Sequence, residues 1–370
     1  MYKDNPALGS AEPYVPGLTT DYVSKKYGIP VNDVAKLGSA ENPFGPSPKA
    51  TEVVMSARKI ENYPDWTATV LREKIATKYG FEPDQVICGA GETEIIPWII
   101  RAYSSKGDKV LMFVPAFPIY HMVADNEGRV PVFIGMGDDL DFKWDDYIAA
   151  IKDDVRIVFL TNPHSPTGRL ITNEQIRKVC RAAKSQLVVL DEAYIHYSNT
   201  NGGMDLVKEF NNLIVLRTFS KVYGLAGLRV GFGISTLEII KPLIHLKPTW
   251  NMGALQTAGA VAALDDDEYV KKTVDTITEM RAYVLAEIGK LNGRYSVVGE
   301  PSSNFFMLRI NESGMDSTTL FNELLKRGVI VKDGSVSFIG LGKRYMRIDV
   351  SLKKHMDRLV RALSEIHPAK

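Results

Sequence analysis

The feature that most constrains the fold of this chain is a series of short apolar runs in its middle, separated by turn residues and helical segments. Five of these runs predict buried strands: KVLMFV (109–114), VPVFIG (130–135), VRIVFL (155–160), QLVVL (186–190) and LIVLR (213–217). RVGFGI at 229–234 is a further candidate strand. Helix cap signals lie between several runs, for example Thr172 followed three residues later by Gln175. Strands that alternate with helices predict an α/β fold with a mostly parallel sheet.

After Trp250 the pattern changes. Long helical stretches at about 253–292 are followed by the apolar run NFFMLRI and a final helix at about 353–366. We therefore predict a large domain over 45–250 and a smaller, discontinuous α+β domain that joins 1–44 with 251–370. The segment KLGSAENPFGPSPKA (36–50) is rich in Pro, Gly and Asn, and predicts a loop that crosses between the two domains.

Composition excludes several classes of function. The 370 residues include 45 basic and 44 acidic side chains, a formal charge of +1, so no global field favours nucleic acid or an anionic membrane. Cys88 and Cys180 are too few for a disulfide framework and lack the spacing of metal ligands, so no metal site is predicted. The N-terminal segment has no apolar signal core, and no apolar run reaches the roughly 18 residues that a spanning helix needs. We expect a cytoplasmic protein that binds small molecules through local groups.

Polar clusters follow the predicted strands, at the edge where open α/β sheets bind ligands. Asn162 follows VRIVFL, Asp191 and Tyr194 follow QLVVL, Lys221 follows LIVLR, and Arg229 follows GLAGL. Each has an ordinary alternative explanation as a turn, a helix cap or a solvated cation. Together, however, they supply the groups that a pyridinium aldehyde requires.

The chemistry of such an aldehyde assigns a task to each cluster. The Lys221 amine can hold the aldehyde as an imine, into which an amino substrate exchanges. The Asp191 carboxylate can face the ring nitrogen, whose protonated form accepts the electrons released at Cα. Asn162 and Tyr194 can both donate a hydrogen bond to the phenolic oxygen of the ring.

A phosphate on the same ring would need its own site. The turn Gly89–Thr93 lies between the probable strand QVIC and an apolar helical run, so its backbone amides would open a helix toward an anion. The predicted phosphate groups are these amides, two hydroxyls and one guanidinium: Ala90, Gly91, Glu92, Thr218, Ser220 and Arg229. The implied cofactor is pyridoxal 5′-phosphate.

Several of these motifs resemble the signature of fold-type-I pyridoxal-phosphate-dependent aminotransferases, and specifically the histidinol-phosphate aminotransferase branch. The motifs are SKVYGLAGLRVG (220–231), NPHSPTG (162–168) and DEAY (191–194). The resemblance covers nearly the whole chain, from PYVPG (13–17) to YMRID (345–349). It implies the fold-type-I transferase fold, with a mostly parallel sheet in the large domain and a smaller α+β domain.

The resemblance also implies roles for residues around the cofactor. Lys221 would be the Schiff-base lysine and proton carrier, with Asp191 on the pyridine nitrogen and Asn162 and Tyr194 on the phenolic oxygen. Phe117, in the PAF segment, would stack on the ring. Tyr63, in YPDW, would reach the phosphate of the cofactor in a neighbouring subunit, which implies a homodimer.

The resemblance matches the family at some substrate positions and departs from it at others. Arg347 in YMRID matches the family's substrate-anion arginine, and three other residues lie in segments that contact substrate in relatives: Tyr14, Asn42 and Asn304. Lys332, in GVIVKDG, stands where this branch usually carries a second arginine, so the charge is kept but the fork geometry is lost. Val350, Ser351 and Leu352 stand where relatives commonly continue with a Gly-Thr pair. These departures leave the substrate open.

The leading hypothesis is amino-group transfer between histidinol phosphate and 2-oxoglutarate, a step of histidine biosynthesis, with Lys221 moving the proton between Cα and the cofactor. One alternative is a decarboxylase of O-phospho-amino acids, similar to threonine-phosphate decarboxylase. Another is an aminotransferase for aromatic or other amino acids. A catalytically silent binding protein is a fourth, and the intact set of polar clusters argues against it.

Overall fold

The structure is a computed structural model that describes residues 17–57, 60–311 and 314–366. Its strands are, in chain order, β1 (Ala35–Lys36), β2 (Val86–Gly89), β3 (Lys109–Val114), β4 (Val130–Gly135), β5 (Val155–Thr161), β6 (Leu187–Asp191), β7 (Leu213–Thr218), β8 (Gly231–Ile234), β9 (Tyr295–Val297), β10 (Phe305–Ile310), β11 (Val329–Ile330), β12 (Lys332–Asp333) and β13 (Tyr345–Asp349).

The helices lie between and around these strands. They are α1 (Thr20–Tyr27), α2 (Pro48–Ser56), α3 (Thr69–Tyr79), α4 (Glu92–Tyr103), α5 (Ile119–Asn126), α6 (Trp144–Ala149), α7 (Asn173–Ala182), α8 (Leu237–Leu246), α9 (Ala254–Ala263), α10 (Asp267–Gly289), α11 (Ser317–Lys326), α12 (Gly334–Ser337) and α13 (Lys353–Glu365).

The largest sheet has seven strands in the order β2-β8-β7-β6-β5-β3-β4. From β7 to β4 every neighbouring pair is parallel, whereas β8 runs antiparallel to both β7 and β2. Helices α5, α6 and α7 make the crossovers between consecutive strands from β3 to β6. The predicted α/β fold with a mostly parallel sheet is confirmed.

The central strands of this sheet are buried on both faces, which explains why they read as nearly continuous apolar runs, whereas the edge strand β4 is partly exposed. In β6, Val188 and Leu190 pack into one apolar core, while Leu187 and Val189 pack into a second core on the opposite face. This alternation follows from the two-residue period of a strand. Polar side chains are therefore confined to the edges of the sheet, where the strands end.

The helix α7 shows how local sequence sets the crossovers. The Thr172 hydroxyl accepts a hydrogen bond from the Gln175 amide at 3.3 Å, and the Gln175 side chain accepts one from the Thr172 amide at 2.9 Å. This capping box satisfies two amides that the first turn leaves without acceptors. Ile176 and Val179 then lie on the buried face of the helix. The predicted helix start is confirmed.

A second, antiparallel sheet has the order β12-β13-β10-β9 and lies later in the chain. The short strand β1 pairs in parallel with β11, which places Ala35 opposite Val329 and joins the N-terminal segment to the C-terminal region. The boundaries proposed at 44/45 and 250/251 stay a prediction. Tyr14 lies outside the described residues.

The described ranges contain no helix that is both long enough and apolar enough to cross a membrane. They also contain no group of three or more His, Cys, Asp or Glu side chains arranged to hold a metal ion. Cys88 and Cys180 are both buried as free thiols.

Candidate active site

A cavity of about 210 Å³ lies at the carboxyl ends of β5, β6 and β7. Eight residues predicted for the cofactor line it: Glu92, Phe117, Asp191, Tyr194, Thr218, Ser220, Lys221 and Arg229. The parallel strands explain this convergence, because their carboxyl ends meet at one edge of the sheet. Six further polar residues line the same cavity and were not predicted: Ser39, Glu41, Thr93, Tyr120, Thr161 and Ser165.

Lys221 places its amine inside this cavity. It follows the end of β7 by three residues and is half-buried. Its Nζ donates a hydrogen bond to the Ser39 carbonyl at 3.2 Å and lies 5.2 Å from the centre of the Tyr194 ring. The ring of Tyr194 is held in turn by an edge-to-face contact with Phe305, with ring centres 4.8 Å apart. The amine is thus positioned between a backbone carbonyl and an aromatic face.

Asp191 forms the floor of the cavity as the last residue of β6, and only 2% of its surface is exposed. Its Oδ1 accepts a hydrogen bond from the Ala193 amide at 2.9 Å, and its Oδ2 accepts one from the Tyr120 hydroxyl. Burial raises the pKa of the Asp191 carboxyl, while these two hydrogen bonds and the charge of Lys221 oppose that rise. Tyr120 stands three residues after Phe117, at helical spacing, which is the one signal that could have identified it.

One side of the cavity is a cradle for an anion. The Arg229 guanidinium lies 3.2 Å from the Thr93 hydroxyl and 3.3 Å from the Ser220 hydroxyl, so it joins the start of α4 to the loop after β7. Gly91 precedes α4 with φ +87°, and a Cβ on it would lie 2.4 Å from Nη2 of Arg229. The positive φ favours glycine here, and a side chain would displace the Arg229 guanidinium from the cradle.

The amides of the cradle differ from those predicted. The Ala90 amide donates to the Glu94 carboxylate at 2.6 Å, and the Gly91 amide donates to the Gly89 carbonyl at 2.7 Å. Neither Ala90 nor Gly91 lines the cavity. The amides of Glu92 and Thr93 belong to the first turn of α4, where a helix offers them no acceptor. These two amides, and not those of Ala90 and Gly91, can bind an anion.

The carboxyl of Glu92 is unusual because it is buried beside Asp191. Only 8% of Glu92 is exposed, and its Oε2 has no hydrogen-bond partner among the described residues. Burial raises the pKa of Glu92 well above its usual range, and the Asp191 charge raises it further, while Lys221 and Arg229 act in the opposite direction. The group therefore favours its neutral form.

Asn162 does not lie where its predicted role requires. Its side chain is fully buried and makes two hydrogen bonds with the backbone of Ile171, at 2.8 and 3.1 Å, so it closes the loop 162–171. It does not line the cavity, whereas Ser165 of the same loop does. The geometry favours a structural task for Asn162.

The predicted substrate residues lie beyond the loop 38–40. Arg347 is buried, with Nη2 3.3 Å from Oδ1 of Asp349 and 3.3 Å from the Gly38 carbonyl. Its guanidinium also lies 4.8 Å from the centre of the Phe305 ring. Lys332 is the cross-strand partner of Arg347. Burial lowers the pKa of Lys332, and the charge of Arg347 lowers it further. Neither cation lines the cavity that contains Lys221.

The loop 38–40 forms the wall between the two groups. Lys221 donates to the carbonyl of Ser39, and Asn304 donates to the carbonyl of Ala40 at 3.2 Å. The Ala40 amide donates to Asp349, the ion-pair partner of Arg347. The loop 38–40 thus contacts both the Lys221 amine and the Arg347 guanidinium.

Comparison with known proteins identifies the family. The model of the aminotransferase class I and II family matches residues 32–363. The chain belongs to this family. The aminotransferase is 38% identical, over 337 residues, to histidinol-phosphate aminotransferase 2 of Carboxydothermus hydrogenoformans, with 89% of this chain and 90% of that protein covered.

Solved structures show the same fold. The histidinol-phosphate aminotransferase of Sinorhizobium meliloti, in complex with pyridoxal-5′-phosphate, superposes with a TM-score of 0.87 at 24% identity, and the match covers 99% of this chain and 97% of that one. The L-threonine-O-3-phosphate decarboxylase of Porphyromonas gingivalis gives 0.79 at 20% identity, with coverages of 89% and 98%. The fold alone therefore does not separate amino transfer from decarboxylation.

The aminotransferase depends on pyridoxal phosphate, and its cavity fits that group. A buried carboxylate on the floor, an amine on the wall and an anion cradle at one side match the ring nitrogen, the aldehyde and the phosphate. Phe117 adds an aromatic wall, held by edge-to-face contact with Tyr120 at 5.6 Å between ring centres. The unpaired buried oxygens of Glu92 and Ser165 face the same space.

Two further predicted residues lie away from the cavity. The Asn42 side chain donates to the Val222 carbonyl at 2.8 Å and so supports the residue next to Lys221. Tyr63 is 79% exposed and stacks on Trp250, with ring centres 4.4 Å apart. Asn42 of the aminotransferase thus supports the loop that carries Lys221. Tyr63 is exposed, so its side chain can contact another molecule.

Proposed function

We propose that this aminotransferase transfers an amino group between histidinol phosphate and 2-oxoglutarate, a step of histidine biosynthesis. The observation that carries the proposal is the placement of Lys221 on one side of the loop 38–40 and of Arg347 with Lys332 on the other. An amine at the reacting carbon and a pair of cations beyond it suit an amino donor with a distant anionic group. The relative of 38% identity bears the name of this activity.

The cofactor side of the reaction assigns one task to each residue. Bound pyridoxal phosphate supplies an electron-accepting ring next to the substrate Cα. Lys221 would hold the cofactor covalently through its amine and, once released, would move a proton at the substrate Cα. Asp191 keeps the ring nitrogen protonated, since a buried carboxylate stabilises a cation opposite it. Tyr120 orients that carboxylate through its hydrogen bond.

The remaining cofactor residues act by binding. Arg229, Ser220 and Thr93 hold the phosphate with the amides at the start of α4. Phe117 covers one face of the ring. Tyr194 would donate a hydrogen bond to the phenolic oxygen, and its ring centre lies 5.2 Å from Nζ of Lys221. All of these groups are in place before a substrate binds, which lowers the cost of ordering them during the reaction.

The substrate side of the proposal rests on charge. Arg347 and Lys332 carry two positive charges, and the buried Asp349 beside them carries one negative charge. The group therefore retains an excess positive charge, which a phosphate or carboxylate can compensate. Asn304 adds a buried side-chain oxygen that has no hydrogen-bond partner within the described residues, and it can accept a hydrogen bond from a substrate.

A half-reaction screen tests this function. Purified holoenzyme is mixed with one amino donor at a time, without an acceptor, and the visible absorbance of the lysine-bound cofactor is followed. We expect histidinol phosphate to convert the cofactor faster than histidine, phosphothreonine or phenylalanine. Equal rates for phosphorylated and unphosphorylated donors would instead support an aminotransferase for aromatic or other amino acids.

Decarboxylation of an O-phospho-amino acid is the second candidate, because GAGETE (89–94), PAF (115–117) and GLGKRYMRI (340–348) resemble that branch. The sequence lacks the early His-Gly-Gly pattern usual there. Incubation with phosphothreonine separates the two reactions. Release of carbon dioxide at a rate above that of amino transfer would favour the decarboxylase.

We also propose a cytoplasmic homodimer. Besides Tyr63, the chain exposes Met55, Ile60, Trp66 and Val70 in the region from α2 to the start of α3, each between 49% and 81% exposed. Apolar side chains that cluster on a surface mark contact sites. A twofold interface there would bring Tyr63 toward the cofactor of the partner, as the family resemblance implies.

A further inference from the structure

A buried ion pair lies on the face of the large sheet opposite the cavity. Glu192 and Arg217 are 0% and 5% exposed, and they are the chain neighbours of Asp191 and Thr218, which line the cavity. Successive side chains of a strand point to opposite faces, so each charged residue lies behind its neighbour. The ring of Tyr79, which packs against the core on that face, lies 4.9 Å from the Arg217 guanidinium. The ion pair therefore lies behind the floor of the cavity.

The pair joins the carboxyl ends of β6 and β7. Nε and Nη2 of Arg217 lie 3.0 and 2.7 Å from Oε2 of Glu192, and the Glu192 amide donates to the Leu216 carbonyl at 2.8 Å. Oε1 of Glu192 accepts a hydrogen bond from the Gly203 amide, and Arg217 also donates to the Asn201 carbonyl at 2.8 Å. Both oxygens of the carboxylate thus have a partner, which fixes the position of the pair.

A gain in stability does not explain why two charges occupy this position. Replacement of a buried ion pair by apolar side chains is often neutral or stabilising, because burial removes both charges from water. Earlier in the same two strands this face carries apolar side chains: Val188, Leu190, Leu213 and Val215. The ion pair stands where the strands reach the active site, and hydrogen bonds have a preferred direction that apolar contacts lack. It is therefore suited to fixing the geometry of the strand ends.

Both strand ends lead directly into the reactive groups. The Glu192 carbonyl accepts a hydrogen bond from the Ile195 amide at 3.2 Å, within the turn that carries Tyr194. Arg217 stands four residues before Lys221, in the segment that carries the amine. A displacement of either strand end would therefore move a group that the reaction uses.

We propose that the Glu192–Arg217 ion pair positions the active site by fixing the separation between the Asp191 carboxylate and the Lys221 amine. These two groups act at opposite ends of one rigid ring, its nitrogen and its aldehyde carbon, so their separation must match the ring. Neither member of the ion pair lines the cavity, so both act through the strand ends. This inference rests on the proposed roles of Asp191 and Lys221, and it is independent of the amino donor that the enzyme uses.

The first test removes both charges in the double variant Glu192→Gln/Arg217→Met, in which Gln retains an acceptor for the Gly203 amide. We expect the visible circular dichroism of the lysine-bound cofactor to change without any amino donor, because this signal depends on the orientation of the ring. In half-reactions with the fastest donor of the screen, the rate at saturating donor should fall by roughly tenfold or more, since a misplacement of about 1 Å can cost about a hundredfold. The half-saturating donor concentration should stay unchanged, because Arg347 and Lys332 are untouched.

Arg217→Lys separates the geometry of the pair from its charge. Lysine keeps a positive charge beside Glu192 and loses the two-point contact. We expect a half-reaction rate between those of wild type and the double variant. This variant also decides the question if the double variant does not fold, because a wild-type rate and dichroism in Arg217→Lys would contradict the positioning role.

The matched control is the double variant Glu209→Gln/Arg177→Met. Nε and Nη2 of Arg177 each lie 2.8 Å from a carboxylate oxygen of Glu209, so this pair also has a two-point contact. Both side chains are partly exposed, and neither residue lines the cavity. The control should therefore keep the wild-type rate and dichroism.

The outcomes separate this inference from the proposed function. A wild-type rate and dichroism in the folded Glu192→Gln/Arg217→Met variant would overturn the positioning role and leave the roles of Asp191 and Lys221 intact. An equal loss in the Glu209→Gln/Arg177→Met control would also overturn it, since a general effect of losing an ion pair would then explain the result. Absence of the visible cofactor band in the wild-type protein would overturn both proposals.

Discussion

The Tyr120 hydroxyl donates a hydrogen bond to Oδ2 of Asp191 and lies 3.0 Å from the Thr161 hydroxyl. Tyr120 reaches the floor of the cavity from α5, and its ring stacks on Phe159, with ring centres 4.5 Å apart. The hydrogen bond stabilises the charged form of a carboxyl that burial would otherwise neutralise. A tyrosine that packs against the core of the large sheet thus favours the charged form of Asp191.

Removal of this hydroxyl should weaken cofactor binding. In Tyr120→Phe we expect the dissociation constant of pyridoxal phosphate to rise by about tenfold or more, because a hydrogen bond to a charged group contributes about 1.5–3 kcal/mol. Titration of the apoprotein with cofactor measures this dissociation constant. Tyr147→Phe is the matched control, since that buried hydroxyl donates to the Phe159 carbonyl at 2.6 Å, outside the cavity. Equal losses in the two variants would contradict the prediction.

The pKa of Glu92 predicts how the stability of the apoprotein depends on pH. Because burial raises this pKa, the native state keeps a proton that the unfolded chain loses above about pH 4.3. Wild-type stability should therefore fall as pH rises from there through the raised pKa, by about 1.4 kcal/mol per pH unit. Glu92→Gln carries no such proton and should gain stability over wild type in that window.

Urea unfolding of the apoproteins at pH 5 and pH 8 measures this effect. The free energy of unfolding of Glu92→Gln should exceed that of wild type by more at pH 8 than at pH 5. Glu52→Gln, on the exposed surface of α2, controls for the loss of one negative charge. If the difference in the free energy of unfolding between Glu92→Gln and wild type shrinks with rising pH, the predicted direction of the effect is wrong.

Lys221→Ala should abolish turnover and leave the fold intact. The Lys221 side chain is half-buried and makes one hydrogen bond, to the Ser39 carbonyl, so its loss removes little packing. We expect no visible lysine-bound cofactor band and an unchanged circular dichroism spectrum. Full activity in this variant would contradict the assigned role of the amine.

Asp349 should set how strongly the enzyme prefers an amino donor that carries a phosphate. Its carboxylate is buried beside Arg347 and offsets part of the positive charge of Arg347 and Lys332. Asp349→Asn retains an acceptor for the Ala40 amide and removes that negative charge. We expect kcat/KM for histidinol phosphate to rise relative to histidinol on the order of tenfold, equivalent to about 1.4 kcal/mol. An unchanged ratio would show that these cations do not bind the phosphate.

Subunit mixing tests the proposed homodimer and the task of Tyr63. Lys221→Ala and Tyr63→Ala homodimers should each be impaired, for lack of the amine and of the phosphate contact. A hybrid of the two should regain activity, because one of its two sites combines Lys221 of one subunit with Tyr63 of the other. Activity that does not rise after mixing and refolding would argue that Tyr63 does not act across an interface.

Much of the fold was predictable because its signals are local. The run KVLMFV became β3 with the same bounds, 109–114, and VPVFIG became β4 at 130–135. β3 is buried on both faces and therefore needs an apolar side chain at nearly every position, whatever its neighbours are. The same reasoning located Asp191 and Lys221, because a polar residue at the end of such a run, or within a few residues of it, lies near the edge of the sheet.

The sequence by itself thus determined the α/β class, the strands of the large sheet and the residues that follow them. Only the tertiary structure decided which donors face the cavity. Tyr120 enters from a helix, Asn162 turns its amide to Ile171, and Ser165 points inward from the same loop. The physical reason is that spacing along the chain places a residue near an edge, whereas the direction of its side chain depends on hydrogen bonds to segments far away in sequence.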